Sequence, residues 1–393
     1  MRTIRNLAAA AAILVGGGAG AHALDEIVTP QTFEIENYAT ARGELIENLR
    51  IGWEAYGKPT PDRDNVILIV PYFSGTPHAA GRYDEADAQP GYWDAVIGPG
   101  KPLDTKKYYV VSADALCDIQ VKDPHVTTTG PSTVNPRTEK PWGLDFPRVT
   151  IRDFVAVQKA LLESLGVFRL KAVIGFSMGA AQALEWGVAY PHMVERVIAV
   201  TPWARADGWQ IATLYAWTAP ILRDAAWNGG DYYGGPEPID GLAAAYEVAF
   251  MDALAPAFLN ANFGRSWAED GKDPAAALDN RFAAETWLRD TARAYAELRD
   301  ANHFLCQAKA IQLFEAGHGG DYAAALKRVQ AKTLLLPADG DLILPPALSE
   351  EIEAHIAAAP AVRRTVIPGA AGHMNGSYEI HQVADQIARF LAE

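Results

Sequence analysis

A serine between small residues stands where an apolar run meets a helix-forming segment. Residues 172–174 are apolar, Gly175, Ser177 and Gly179 form a Gly-x-Ser-x-Gly turn, and an Ala/Leu-rich helical pattern follows. Such a turn lifts the serine hydroxyl out of a sheet, and the first N–H groups of the helix point toward developing negative charge. We therefore predict that Ser177 is a nucleophile. The alternative is a buried serine in a Gly-rich turn.

Two later residues could activate this serine. A serine nucleophile needs a base within hydrogen-bond reach, and an acid must orient that base. Asp341 follows an apolar strand in a Gly-containing turn, and His373 follows the last predicted strand in a Gly-rich loop. Asp339 is the competing acid. His318 is the competing base, although it precedes the acid, and His381 is expected on the surface of a helix.

Apolar runs predict the strands that must position these residues. Alternating polar and apolar residues over 27–56 indicate an antiparallel hairpin, and fully apolar runs are typical of buried parallel strands. Helices are predicted from Thr150, directly after Ser177 and over 377–391, while 114–142 is a long loop that we expect to wall the active site. The remaining strands are predicted over 66–70, 108–112, 172–174, 197–200, 333–336 and 364–367.

The order of the elements predicts the fold class. Strands alternate with helices, which is typical of an α/β fold with a mostly parallel, doubly wound sheet. Between 203 and 328 the strand pattern disappears and aromatic residues follow helical spacing, which indicates a helical cap insertion. The core therefore comprises residues 24–202 and 329–393, with the cap over 203–328 between its two parts.

The first 23 residues have the pattern of a secretory signal peptide. Arg2 and Arg5 precede an apolar run over 7–15, and Ala21-His22-Ala23 matches a small-x-small cleavage site. We expect cleavage after Ala23 and a periplasmic or secreted protein. The alternative is a disordered tail rich in Ala and Gly.

Composition argues against several classes of partner. The 393-residue chain has 34 Lys and Arg against 48 Asp and Glu, a net charge of −14, which argues against nucleic acid and anionic membranes. No run is long enough to span a bilayer, and no metal-binding motif occurs, so we expect no membrane insertion, metal or cofactor. Cys117 and Cys306 either form a disulfide or are two buried thiols.

Several further stretches resemble one known family, the homoserine O-acetyltransferases of the α/β-hydrolase superfamily. The resemblance spans most of the chain after residue 23. The stretches that carry it are 98–104 (GPGKPLD), 129–136 (TGPSTVNP), 145–147 (DFP), 150–153 (TIRD), 175–186 (GFSMGAAQALEW) and 300–302 (DAN).

The resemblance implies an α/β-hydrolase fold and an acyl-serine mechanism. Ser177 would be the nucleophile, His373 the base and Asp341 the orienting acid, and the backbone N–H groups of Phe73 and Met178 would form the oxyanion hole. The acyl group of a small substrate would move onto Ser177 and then onto an acceptor hydroxyl. The oligomeric state is open, with a homodimer as one alternative.

The chain also departs from the family pattern. Leu298-Arg299 stands where members tend to place Arg-Phe, and Lys309 replaces an Arg. A cap arginine suits a substrate carboxylate better than Lys or Leu. An exported enzyme would also lack cytosolic acetyl-CoA. We therefore expect hydrolysis of a small ester or related acyl compound. The alternatives are O-acyl transfer to homoserine or another small alcohol, and a non-catalytic binding protein.

Overall fold

The computed structural model describes residues 27–356 and 359–393. The predicted signal peptide lies outside the described residues and stays a prediction. Within the described ranges, no single helix is long and apolar enough to cross a bilayer. One pair of helices bent by 103°, Ile239–Ala253 and Pro256–Asn262, meets the length and composition criteria together.

An eight-stranded sheet forms the centre of the molecule and confirms the predicted α/β fold. Its strands lie in the order β1-β2-β4-β3-β7-β8-β9-β10, and all neighbours are parallel except the pairs β1/β2 and β2/β4. A separate two-stranded ladder is formed by β5 and β6. The strands are β1 Gln31–Ala39, β2 Leu45–Tyr56, β3 Val66–Val70, β4 Tyr109–Ala113, β5 Val134–Asn135, β6 Lys140–Pro141, β7 Ala172–Phe176, β8 Arg196–Val200, β9 Lys332–Leu336 and β10 Val362–Arg364.

The central strands are buried on both faces, as their apolar runs predict. Every residue of β3, β7 and β8 is buried, which is the pattern expected of a parallel sheet covered by helices on both sides. The strand predicted over 364–367 is wrong by a few residues. β10 pairs with β9 only through Val362 to Arg364, and Ile367 makes an isolated bridge to Ala338.

The helices flank the sheet or lie between β8 and β9. The predicted helix after Thr150 is present, and its first turn is held by a capping box between Thr150 and Asp153. The eleven α-helices of the described residues are α1 Ile151–Ser164, α2 Met178–Ala189, α3 Gly208–Arg223, α4 Ile239–Ala253, α5 Pro256–Asn262, α6 Ala283–Glu297, α7 Ala301–Gln312, α8 Tyr322–Leu326, α9 Ala347–His355, α10 Asn375–Tyr378 and α11 Ala384–Ala392.

The prediction of a single helix over 377–391 is wrong. The chain forms the short helix α10, a 3₁₀ turn over Ile380–Val383 and then α11. The breaks fall at Glu379 and Val383, whose ψ angles of 12° and 18° leave the α-helical region. The apolar residues whose spacing predicted one helix are nevertheless buried: Ile380, Val383 and Ile387 all pack in the core.

A disulfide joins the core to the region between β8 and β9. Cys117 lies in the loop after β4 and Cys306 on α7; their sulfurs are bonded and their Cα atoms are 6.2 Å apart. The described residues of this region contain helices and isolated bridges but no ladder strand. The structure therefore shows a disulfide, where the sequence left open a disulfide or two buried thiols. The domain boundaries at 203 and 328 stay predictions.

Candidate active site

Ser177 occupies a sharp turn between β7 and α2. Its φ of 59° and ψ of −115° lie in a region that residues with a Cβ rarely adopt. The turn is tight enough to require both glycines. A Cβ on Gly175 would overlap the backbone carbonyl of Gly179, and a Cβ on Gly179 would lie 2.6 Å from the carbonyl oxygen of Val70. The glycine spacing seen in the sequence therefore has a steric cause.

The structure brings Ser177, His373 and Asp341 into one hydrogen-bonded chain. His373 Nε2 lies 2.8 Å from Ser177 Oγ, and His373 Nδ1 lies 2.8 Å from Asp341 Oδ2. The other carboxylate oxygen of Asp341 accepts hydrogen bonds from the backbone N–H groups of Ile343 and Leu344. Both the acid and the histidine are buried. The carboxylate is thus oriented by the backbone before it orients the imidazole.

The competing residues lie elsewhere. Asp339 is exposed, and only its backbone carbonyl has a contact near the site, accepting a hydrogen bond from Asn375. His318 is exposed in a glycine-rich turn, and His381 faces solvent beside Glu379. None of these three side chains contacts Ser177. Burial and geometry therefore favour Asp341 and His373.

The two residues expected to supply oxyanion N–H groups lie beside Ser177. Phe73, Ser177 and Met178 line the same small cavity. Met178 is the first residue of α2, so its N–H group precedes the helical hydrogen-bond ladder and is free to serve a ligand. Phe73 lies in the loop after β3, at the carboxyl edge of the sheet where α/β folds place ligands.

Two glutamines that the sequence did not single out hold the loop of Phe73. Gln120 Nε2 donates to the carbonyl of Ser74 at 2.8 Å, and the N–H of Ser74 donates to Gln307 Oε1 at 3.3 Å. Ser74 itself has a positive φ of 60°. Neither glutamine belongs to a recognisable sequence motif. Only the three-dimensional contacts therefore show that the two side chains hold this loop.

A mostly apolar cavity of about 140 Å³ opens above Ser177. This is smaller than the roughly 300–1,000 Å³ typical of drug-sized ligands, so the cavity suits a small molecule. Its wall joins core loops to residues of α3, α4 and α6. The lining residues that bear on the argument below are Phe73, Ser74, Gln120, Trp217, Tyr246, Leu254, Tyr295, Arg299, Met374 and Tyr378.

An arginine lines the Ser177 cavity, although the chain departs from the family pattern at Leu298-Arg299 and Lys309. Lys309 is exposed and donates to Gln312 in a separate groove, but Arg299 lines the cavity of Ser177 and is only 8% exposed. Leu298, its neighbour, is 63% exposed. Just before α7, this chain therefore buries the cation of Arg299 in the cavity and exposes the side chain of Leu298.

The described residues contain no group of three or more His, Cys, Asp or Glu side chains arranged to hold a metal ion. The hydrogen-bonded chain at Ser177 needs none, because the imidazole can accept the serine proton directly.

Comparison with known sequences places the chain in a family. The profile described as "alpha/beta hydrolase fold" matches residues 128–378. A homoserine O-acetyltransferase of Thermobifida fusca is 37% identical over 358 residues, which cover 89% of this chain and 90% of that protein. One from Methanococcoides burtonii is 36% identical over 323 residues. The chain spans only 65% of the length of that second relative.

Two solved structures share almost the whole fold. Esterase E22 is 44% identical with a TM-score of 0.87, covering 93% of this chain and 100% of that one. Homoserine O-acetyltransferase from Bacillus anthracis is 34% identical with a TM-score of 0.88, covering 94% and 98%. The relatives are enzymes, either acetyltransferases or esterases. The resemblance read from the sequence is thereby confirmed, and the chain belongs to the homoserine O-acetyltransferase family of the α/β-hydrolase superfamily.

Proposed function

We propose that the enzyme transfers acyl groups through a covalent ester on Ser177, with His373 as base and Asp341 as its orienting acid. The observation that carries the proposal is the continuous Ser177–His373–Asp341 hydrogen-bond chain at the base of a cavity. His373 Nε2 takes the serine proton as Ser177 Oγ attacks the substrate carbonyl. The N–H groups of Phe73 and Met178 then stabilise the oxyanion.

The first half-reaction ends when the tetrahedral intermediate collapses: the ester C–O bond breaks, and His373 returns its proton to the leaving alkoxide. In the second half-reaction an acceptor hydroxyl gives its proton to His373 and attacks the acyl-serine carbonyl. The bond between the acyl carbon and Ser177 Oγ then breaks, and His373 returns the proton to Ser177 Oγ. With water as acceptor the products are a carboxylic acid and an alcohol; with an alcohol as acceptor the product is a new ester.

We propose water as the main acceptor in this chain. The 44% identical structure is named an esterase. No Asp or Glu occurs among the described residues that line the Ser177 cavity, so an amino-acid acceptor would find no carboxylate for its ammonium group. An unpaired ammonium in such a site is costly.

Acyl transfer to homoserine or another small alcohol is the second candidate. The curated relatives support it more broadly than they support hydrolysis, because they are named homoserine O-acetyltransferases. Arg299 adds a cation that could receive a carboxylate in the cavity. The non-catalytic alternative has no support among these relatives.

A partition experiment separates the two acceptors. The purified enzyme is supplied with a chromogenic acetyl ester, and acetate and acetyl-homoserine are measured with and without homoserine. Hydrolysis predicts that acetate is released at the same rate in both cases. Formation of acetyl-homoserine with a matching fall in acetate would contradict water as the main acceptor and establish transfer.

We further propose that the enzyme is exported, as the pattern of residues 1–23 suggests. The Cys117–Cys306 disulfide supports this proposal, because disulfides persist mainly in oxidising compartments. Intact mass spectrometry of protein from the periplasm or medium of the producing cell should give a chain starting at Leu24. Recovery of active enzyme only from the cytoplasm, with Met1 or its successor at the start, would contradict export.

A further inference from the structure

An arginine lies buried in the Ser177 cavity with unused hydrogen-bonding capacity. Arg299 donates from Nη1 to the carbonyl of Tyr295 at 3.2 Å and from Nη2 to Gln120 Oε1 at 3.3 Å. Its Nε is buried and has no hydrogen-bond partner. Among the described residues Arg299 has no ion-pair partner, since its two bonds go to neutral oxygens.

Aromatic rings hold this guanidinium in place. Its central carbon lies 4.0 Å from the ring centroid of Tyr295 and 5.6 Å from that of Tyr246. Stacking of this kind fixes the plane of the guanidinium, and a fixed planar fork is well suited to bind a carboxylate through two hydrogen bonds. The rings also exclude water, which strengthens any charge interaction in the cavity.

Two buried carboxyls, Asp114 and Asp118, influence each other's titration, and the charge of Arg299 acts on Asp118. Burial raises the pKa of Asp118 to about 6, although a backbone hydrogen bond from Gln120 and the nearby Arg299 oppose that rise. Burial and the neighbouring Asp118 raise the pKa of Asp114 well above its ordinary value. Asp118 Oδ1 accepts from the N–H of Gln120, and the hydrogen bonds of Arg299 go to Tyr295 and Gln120 rather than to either carboxyl.

We propose that Arg299 anchors a carboxylate subsite in the Ser177 cavity, so that the substrates are small esters carrying one carboxylate. This inference rests on the proposed acyl-transfer function and names its substrate class. The carboxylate can belong to the acyl part or to the alcohol part of the ester. The chemistry at Arg299 is the same in both cases, and the experiment below distinguishes them.

Arg299 is also linked to the oxyanion loop. Its Nη2 donates to Gln120, whose amide nitrogen donates to the carbonyl of Ser74, the residue after Phe73. A carboxylate bound to Arg299 holds this chain of contacts in place. The charge of the substrate should therefore raise kcat as well as lower KM.

The test compares charged and neutral esters. In the first pair the acyl part carries the charge: the monomethyl ester of a short dicarboxylic acid is compared with the same ester whose free carboxylate is replaced by an amide. In the second pair the alcohol part carries the charge: the acetyl ester of a small hydroxy acid is compared with the same ester whose carboxylate is replaced by an amide. We expect wild-type kcat/KM to favour the anionic member of at least one pair, and the responding pair identifies the part that carries the charge. In Arg299→Gln this preference should fall by about 10- to 100-fold, with partial recovery in Arg299→Lys.

The control is Arg289→Gln, which removes the same charge from an exposed position on α6 and should leave the charged-to-neutral ratio unchanged. Inhibition of the wild type by the free dicarboxylate and by its monoamide needs no variant, and we expect at least about tenfold tighter binding of the dicarboxylate.

Two results would overturn the subsite. One is a wild-type enzyme that prefers the charged member of neither pair; the other is a charged-to-neutral ratio that Arg299→Gln leaves unchanged. If the enzyme hydrolyses neutral esters but shows no preference for charged ones, only the proposal of a carboxylate subsite is contradicted. If no ester is turned over and Ser177 is unreactive, the proposed acyl-transfer function itself is contradicted.

Discussion

Replacing Ser177 with alanine should reduce kcat by at least about 10⁴-fold, because no other group can form the acyl-enzyme. His373 and Asp341 would keep their hydrogen bond, and the residual rate would come from binding and the oxyanion N–H groups alone. Steady-state hydrolysis of a chromogenic acetyl ester measures the loss. The variant should unfold at close to the wild-type temperature, since the hydroxyl contacts only His373.

The chain offers a matched control for this substitution. Ser132 Oγ lies 2.8 Å from Nε2 of the buried His303, the same distance as in the Ser177–His373 pair. That histidine, however, is oriented by the backbone carbonyl of Asp118, and Ser132 lies outside the Ser177 cavity. Ser132→Ala should therefore retain activity. The nucleophile would be misassigned if Ser132→Ala lost turnover while Ser177→Ala kept it.

Asp341→Asn should lower kcat by about 10³- to 10⁴-fold with little change in KM. Asp341 Oδ1 accepts two backbone hydrogen bonds, so the amide oxygen of the asparagine would take that side and its NH₂ group would face His373 Nδ1. An NH₂ donor there forces the proton onto Nε2, and the imidazole can no longer accept the proton of Ser177. Separate kcat and KM values with the same chromogenic ester reveal this pattern.

Asp339→Asn is the control for the acid. Its side chain is exposed two residues away, so the variant removes a similar charge without touching the imidazole and should retain near wild-type kcat. If Asp339→Asn were the damaging change and Asp341→Asn the harmless one, the orienting acid would be reassigned.

The sequence predicted the parts of the site that depend on local rules. Ser177 follows from the glycine spacing and the strand–turn–helix pattern, because the turn is sterically defined within a few residues. Asp341 and His373 follow from chain order and from their places after apolar strands, since the carboxyl ends of parallel strands meet at one edge of the sheet. The choice of Asp341 over Asp339 needed the three-dimensional contact to His373.

The parts that depend on distant contacts could not be predicted. The sequence did not identify Arg299 as a site residue, and only the packing before α7 shows that it lines the Ser177 cavity. Gln120 and Gln307 hold the loop of Phe73 from segments far apart in sequence. The pairing of Cys117 with Cys306 spans 189 residues, and sequence separation says nothing about such proximity.

The most direct test of the account is to trap the acyl-enzyme. The wild-type protein is mixed with an acetyl ester, quenched in acid within the first turnovers, digested and examined by mass spectrometry. The account predicts one acetyl group on the peptide that contains Ser177, formed and consumed at least as fast as kcat. Turnover with Ser177 unmodified throughout, or with the acetyl group on another residue such as Ser132, would contradict it.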